Sequence, residues 1–300
     1  MTLRNTPRVS FIGFGEAGQA IASGLRDSGI QQIAAWDILF PESAGAKLKL
    51  AGEKIGVRLA KSAAEAVAET DLIVSAVTAA SSLEAARSVA PHLRGLPYYL
   101  DINSVSPGRK QETAKLLADR ARYVDVAVIA PIHPARHKTP LLIAGPHAEA
   151  ISPLLRELDM QLTLVDDKTG SAAAIKMIRS VMIKGIEALT LECFLAAERA
   201  GVLDAVTVSL TNNYPGVDWP KMSEYNIERM ASHGERRAAE MEESAATLRE
   251  LGLDPLMVDA TVKRQREMGA IGKNDNVRAS LTQGRAAMLD AISATKKSRG

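Results

Sequence analysis

Gly13-Phe14-Gly15-Glu16-Ala17-Gly18 follows a short apolar run at residues 8–13 and opens an amphipathic segment reaching Leu25. Three glycines at this spacing, between a strand and a helix, suit a backbone that turns tightly and approaches a diphosphate closely. The anion would rest on the helix N-terminus. A second apolar run at 32–36 ends in Asp37, about 20 residues beyond the glycines, where an acid meets both ribose hydroxyls of a dinucleotide. A carboxylate there repels a 2′-phosphate. The two features together predict dinucleotide binding, with NAD preferred over NADP. Val77 and Thr78, closing the apolar run 71–77, are expected to touch the cofactor through their backbone.

The stretch 167–201 holds no proline and stops at a glycine, so it predicts one long helix. Its surface is apolar nearly all round, which predicts burial nearly all round. At about 100° per residue, Lys176, Ser180 and Glu187 fall within roughly 40° of one another. A polar face on a buried helix must meet a pocket, a partner or an ion pair. Lys176 could take the hydroxyl proton when a secondary alcohol gives up a hydride. Desolvation beside a cationic nicotinamide would lower its pKa toward that task. The bland alternative is a lysine that snorkels into an ion pair. Ser180 could hydrogen-bond the reacting oxygen. Arg179 and Lys184 could hold a carboxylate, although Lys184 with Glu187 could equally form an i,i+3 pair. Asn103, Ser104 and Val105 stand where the run 98–102 ends. They offer side-chain and backbone donors to a substrate head group, or else simply form the turn before Pro107. The basic loop 133–138 could clamp an anion or be merely solvated.

Elements that position these residues follow from the periodicity. Strands are expected at 8–13, 32–36, 57–59, 71–77, 98–102, 123–129, 141–144 and 162–165. Helices are expected at 43–51, 62–68, 82–90, 107–121 and 148–158 between them. This alternation predicts a doubly wound α/β sheet of the Rossmann type, with ligands beyond the carboxyl ends of the strands. After Gly201 the strand pattern disappears. Helices are expected at 203–211, 218–231, 234–251, 255–268 and 276–295, and the closing residues 296–300 are expected to fray. The organisation expected is therefore a cofactor domain at 1–166 and an all-α domain at 167–300, joined by the long helix.

Composition narrows the function. A net charge of +2 and only 4% aromatic residues argue against a nucleic-acid partner. The one cysteine, Cys193, excludes an internal disulfide and is expected to be a buried thiol. The five histidines show no metal spacing, and no metal is expected. There is neither a signal-like leader nor an apolar run long enough to span a bilayer, so a cytoplasmic protein with no membrane partner is expected.

Three motifs combine into a resemblance. The glycine loop, Asp101-Ile102-Asn103-Ser104-Val105-Ser106-Pro107 and Gly170-Ser171-Ala172-Ala173-Ala174-Ile175-Lys176 resemble the cofactor, substrate and catalytic motifs of the β-hydroxyacid dehydrogenase superfamily. That superfamily includes 3-hydroxyisobutyrate and 6-phosphogluconate dehydrogenases. Tyr123-Val124-Asp125-Val126-Ala127-Val128 resembles its Y-x-D-A-P-V strand, and residues 233–243 look like a helical domain of phosphogluconate-dehydrogenase-like proteins. The resemblance implies hydride transfer between a nicotinamide cofactor and a small, anionic β-hydroxy acid or its keto or semialdehyde form. It implies Lys176 as general acid/base and pairing of two subunits through the helical domains. An imine-reducing or decarboxylating variant, and a non-catalytic dinucleotide-binding module, are the alternatives. Three positions depart from the family pattern. Ser180 stands for the usual Asn, Ile129-Ala130-Pro131 for S-G-G, and Glu240-Met241 for a Lys-Asp pair.

Overall fold

A computed structural model describes residues 6–297; the last three residues of the stretch expected to fray lie outside the described residues. The chain divides into two compact units, residues 1–176 and 177–300.

The first unit is built on one sheet. Its strands are β1 (Val9–Ile12), β2 (Ile33–Trp36), β3 (Arg58–Leu59), β4 (Leu72–Ser75), β5 (Tyr98–Asp101), β6 (Arg122–Val128), β7 (Leu141–Ala144) and β8 (Leu162–Leu164). The order across the sheet is β3-β2-β1-β4-β5-β6-β7-β8. The first six strands run parallel, β7 is antiparallel to β6, and β8 is parallel to β7. Between the strands lie α1 (Glu16–Asp27), α2 (Ala46–Ile55), α3 (Ala63–Val67), α4 (Ser82–Val89), α5 (Pro107–Leu117) and α6 (Ala148–Glu157). The doubly wound α/β architecture expected from the alternation is the one observed. Strand order reverses on the two sides of β1, which has β2 on one flank and β4 on the other. That reversal opens a crevice beyond the carboxyl ends of β1 and β4.

The period of two sorts the sheet into two apolar faces. Phe11, Val74, Leu100 and Val124 pack on one face, and Ile12, Ile73, Tyr99 and Tyr123 on the other. Each fully buried Phe or Leu contributes about 1.5–3 kcal/mol. The same alternation puts Ser75, Asp101 and Asp125 on the second face, all fully buried. Asp101 and Asp125 are direct partners across β5 and β6.

The long helix, α7 (Ser171–Arg199), begins in the first unit and continues into the second. The first unit extends to Lys176 because β6 holds the start of α7. Asp125 Oδ2 accepts hydrogen bonds from the backbone N–H groups of Gly170 (3.0 Å) and Ala173 (3.2 Å).

The second unit is all-helical, with α8 (Leu203–Asn213), α9 (Trp219–Glu250), α10 (Leu256–Ile271), α11 (Asp275–Ser280) and α12 (Arg285–Lys297). Its core gathers Leu191 and Phe194 of α7, Met230 of α9, Met268 of α10 and Leu289 of α12. Several expectations fail here. The break expected at 232–233 is absent, and α9 runs unbroken through Gly234. Likewise α10 passes through Gly269, where a break was expected. These glycines serve contact between helices rather than termination. A Cβ on Gly234 would lie 2.5 Å from Gly269 N, and one on Gly269 would lie 2.5 Å from Glu235 N. Backbone meets backbone there, so no side chain fits. Conversely, the single helix expected at 276–295 is two, because Gly284 adopts a left-handed φ of +88°.

The expectation that α7 is buried nearly all round also fails. Ile175, Ile178, Met182 and Leu189 recur at helical spacing and are exposed, Met182 at 65%. Cys193 continues the same stripe and is exposed, not buried. Of the apolar side chains of the helical half, Met241 and Met288 are buried, whereas Leu251, Leu256 and Met257 are exposed. Among the described residues no helix is long and apolar enough to cross a membrane.

Candidate functional site

The glycine loop closes over the carboxyl end of β1. Gly13 has φ +88°, and a Cβ there would collide with the Ala76 carbonyl just after β4. A Cβ on Gly18 would stand 2.7 Å from the Gly13 carbonyl oxygen, so the third glycine admits close packing of α1 on the loop. Gly15 is different. A Cβ there would meet nothing within 4 Å, and Gly15 is the N-cap of α1 with no side chain capping the helix. Among the described residues nothing requires a glycine at this position. The open cradle and the helix N-terminus without a side-chain cap fit a dinucleotide diphosphate. Phe14 belongs to the loop only by its backbone, because its ring is buried between Phe11 and Phe40. Glu16 is exposed in the first turn of α1 and Ala17 is half-buried against the core.

Asp37 sits at the end of β2. Its Oδ2 accepts from Phe14 N at 2.7 Å and its Oδ1 from Leu39 N at 2.9 Å. Both bonds orient the carboxylate, and each oxygen retains a further acceptor lone pair for a ribose hydroxyl. The residues that follow, Ile38-Leu39-Phe40-Pro41-Glu42, carry no cation, and Ile38 is 80% exposed.

Val77 follows β4. Its N–H donates to Asn103 Oδ1 at 2.7 Å, and Asn103 Nδ2 donates to Ser75 Oγ at 3.0 Å. The Asn103 side chain is buried and turned toward the end of β4. It acts as a strut between two loops rather than as a free head-group ligand. Val105 is fully buried, so its side chain offers nothing to a substrate. Thr78 is exposed, with its hydroxyl donating to Ser81 Oγ at 3.0 Å.

Ser104 and Lys176 are brought together. Lys176 Nζ donates to Ser104 Oγ at 2.6 Å across 72 residues of sequence, and both residues are half-buried. Beneath them lies a cluster that the residue types alone had not suggested. Lys110 of α5 is fully buried, with its Nζ 3.1 Å from Asp101 Oδ1 and 3.6 Å from Asp125 Oδ1. It also donates to the Asp101 carbonyl at 2.5 Å. Tyr123 Oη donates to Asp101 Oδ2 at 2.8 Å. Burial raises the Asp125 carboxyl above its ordinary range, against the pull of Lys110. The sequence did hold a signal: two carboxylates within buried strands require a cation nearby.

The basic loop 133–138 does not reach the glycine loop. Arg136 donates to Ser23 Oγ (3.2 Å) and Asp27 Oδ2 (2.6 Å) in the later turns of α1. Lys138 pairs with Asp159. His137 is buried against Gly24, with Nε2 3.0 Å from Ser28 Oγ. Arg136 and His137 are thus engaged in docking the loop on α1, and Lys138 is engaged by Asp159.

Comparison with known proteins agrees with this arrangement. A family profile described as NADP oxidoreductase, coenzyme F420-dependent, matches residues 8–97, and a domain of unknown function (DUF1932) matches residues 197–268. A conserved hypothetical protein from Sinorhizobium meliloti 1021 is 35% identical, with 97% of each chain covered and a TM-score of 0.78. A conserved protein of unknown function, described as structurally similar to 3-hydroxyacid dehydrogenases, is 28% identical over 88% of this chain and 97% of its own, at a TM-score of 0.70. The 3-hydroxyisobutyrate dehydrogenase of Mycobacterium tuberculosis shares the fold at 14% identity, covering 99% of this chain and 100% of its own, with a TM-score of 0.72. The chain belongs to the β-hydroxyacid dehydrogenase superfamily.

Two of the departures from the superfamily pattern meet in the second unit. Ser180 and Lys184 are buried, and Lys184 Nζ lies 3.1 Å from Ser180 Oγ and 3.0 Å from Glu240 Oε2. Thus Glu240, standing where the superfamily has a Lys-Asp pair, is met by a lysine from α7. Glu187 does not bridge to Lys184 by the i,i+3 pair considered above. It accepts instead from Arg237 Nε (3.0 Å) and Gln265 Nε2 (2.9 Å). Burial lowers the Lys184 pKa, and Glu240 opposes the shift. Arg179 is exposed on α7. Tyr214 and Trp219 pack edge to face at 6.0 Å. Among the described residues no group of acidic, histidine or cysteine side chains could hold a metal ion.

Proposed function

We propose that this oxidoreductase transfers a hydride between NAD and a small β-hydroxy acid, or its keto or semialdehyde form, with Lys176 as general acid/base. The observation that carries the reading is the 2.6 Å contact between Lys176 Nζ and Ser104 Oγ. It joins the lysine of the G-x-x-x-x-x-K helix to the serine of the loop after β5. When bound, the nicotinamide accepts or returns the hydride. Lys176, as the free amine, takes the proton from the substrate hydroxyl in oxidation and returns it to the carbonyl oxygen in reduction. Ser104 holds the ammonium in place and can donate its own proton to the reacting oxygen. Gly15 and the N-terminus of α1 would hold the diphosphate of the cofactor, and Asp37 would accept from its ribose hydroxyls. NAD is favoured because Asp37 and Glu42 lie where a 2′-phosphate would require a cation. The exposed apolar stripe of α7 supports a homodimer formed through helices of the second unit.

The test is a panel of β-hydroxy acids assayed for NADH formation, with Lys176→Ala alongside. The variant should bind NADH like wild type and lose about 10²–10⁴-fold in turnover. Turnover that survives in Lys176→Ala removes the acid/base role. NADP binding as tightly as NAD removes the cofactor preference.

A further inference from the structure

The buried cluster Asp101–Lys110–Asp125 has no direct part in the chemistry proposed above, and stability alone does not explain it. Three charged groups taken out of water cost heavily, and apolar side chains filling the same volume are often as stable or more so. Its connections are more informative. Asp101 Oδ1 accepts from Asn103 N at 3.0 Å, fixing the loop that carries Ser104. Asp125 Oδ2 accepts from Gly170 N and Ala173 N, fixing the first turn of the helix that carries Lys176. Lys110 lies between the two carboxylates, within 3.1 Å of one and 3.6 Å of the other. Among the described residues, Asp125 Oδ1 has no hydrogen-bond partner. Lys110 is therefore the cation that favours the charged form of Asp125 on that side, against its burial.

We infer that Lys110 is a positioning residue: by holding Asp101 and Asp125 together as carboxylates, it sets the approach of Lys176 to Ser104. The inference rests on the acid/base reading of Lys176 for its functional meaning. Without the cation, two carboxylates on adjacent strand positions face each other in a dry interior, and one takes up a proton. A neutral Asp125 accepts more weakly from Gly170 N and Ala173 N. The first turn of α7 then loosens and Lys176 leaves Ser104.

The test needs no substrate. Lys110→Met keeps the approximate volume and removes the charge. The reactivity of the Lys176 amine toward acetic anhydride is measured by mass spectrometry relative to Lys54, which is exposed. It should rise at least about threefold in Lys110→Met, the scale of a coupling between residues in contact. NADH affinity should stay at the wild-type value. In Lys110→Met/Asp125→Asn the amide oxygen still accepts from α7 and the like-charge contact is gone, so reactivity should fall back toward wild type. Unchanged reactivity in Lys110→Met, or no recovery in the double variant, overturns the inference. So does a loss of NADH affinity in step with the rise, which would mark general loosening of the fold. Should Lys110→Met fail to fold, Lys110→Gln decides, a rise supporting the inference and wild-type reactivity overturning it. On a substrate found by the panel, Lys110→Met should lower kcat by up to about 10²-fold, the cost of a small misplacement, with the cofactor KM unchanged. Turnover surviving in Lys176→Ala would remove the chemical reading and leave the labelling result standing.

Discussion

Gly15→Ala separates the demands of the fold from those of the cofactor. Gly15 has φ −73° and ψ −159°, a conformation open to alanine, and its added Cβ meets nothing within 4 Å. The structural cost is the poorer N-cap, about 1 kcal/mol or less. Gly13→Ala is the contrasting case. Its φ of +88° costs about 1–2 kcal/mol for a left-handed alanine, and the collision with the Ala76 carbonyl adds about 1–3 kcal/mol. The order reverses where ligand affinity is concerned only if the open space above Gly15 is the diphosphate seat. A methyl group there then costs about 1–3 kcal/mol of overpacking, which is roughly 5–150-fold in Kd. Urea unfolding gives the first quantity and NADH fluorescence titration the second. Gly15→Ala should unfold within about 1 kcal/mol of wild type and bind NADH poorly. A Gly15→Ala protein that binds NADH with wild-type affinity would refute the reasoning, since nothing else among the described residues accounts for a glycine there.

Gly234→Ala should destabilise by about 1–3 kcal/mol or more, because the atoms facing it are the backbone of Gln265 and Gly269, which cannot swing aside; a wild-type urea midpoint would contradict this. Burial, with Lys138 nearby, lowers the His137 pKa from 6.5. The stability it contributes is therefore present above about pH 6.5 and lost as pH falls through the depressed folded value. The urea midpoint of wild type should drop through that window, His137→Gln should flatten the drop, and identical pH slopes would exclude His137 as the cause. Light scattering should give twice the 32.0 kDa chain mass, and a dilute monomer that still turns over substrate would count against the dimer.

Most of the first unit was legible because buried parallel strands and amphipathic helices write distinct periods. The glycine loop was legible because strand, helix and Asp37 stood at the required offsets. Other features were hidden for physical reasons. Lys110 sits in a helix of ordinary polar composition, and only the pairing of β5 with β6 shows that two carboxylates need it. Gly234 and Gly269 look like helix stops in sequence, since a glycine that ends a helix and one that admits a neighbouring backbone are the same residue. The stripe of Ile175, Ile178 and Met182 looked buried because apolar content does not report what covers a face. The loop 133–138 could be read as a clamp or as a solvated loop because its acidic partners, Asp27 and Asp159, are remote in sequence.

The ends of the sheet restrict how copies of this chain can meet. One edge is β3, two residues long, and the other is β8, three residues long. So few main-chain groups cannot template an added strand, and the sheet is closed to growth by edge pairing, the route that leads to fibrils. What remains for association is side-chain contact on helices. Along α7 the exposed apolar residues Ile175, Ile178, Met182 and Leu189 stand three, four and seven positions apart, so a partner would find its alignment through interdigitating side chains. A slip along such a seam costs a whole helical turn, about 5.4 Å, whereas strands can slide by one residue. The short edges thus leave this protein with a coarse, and therefore well-separated, set of ways to stick to itself.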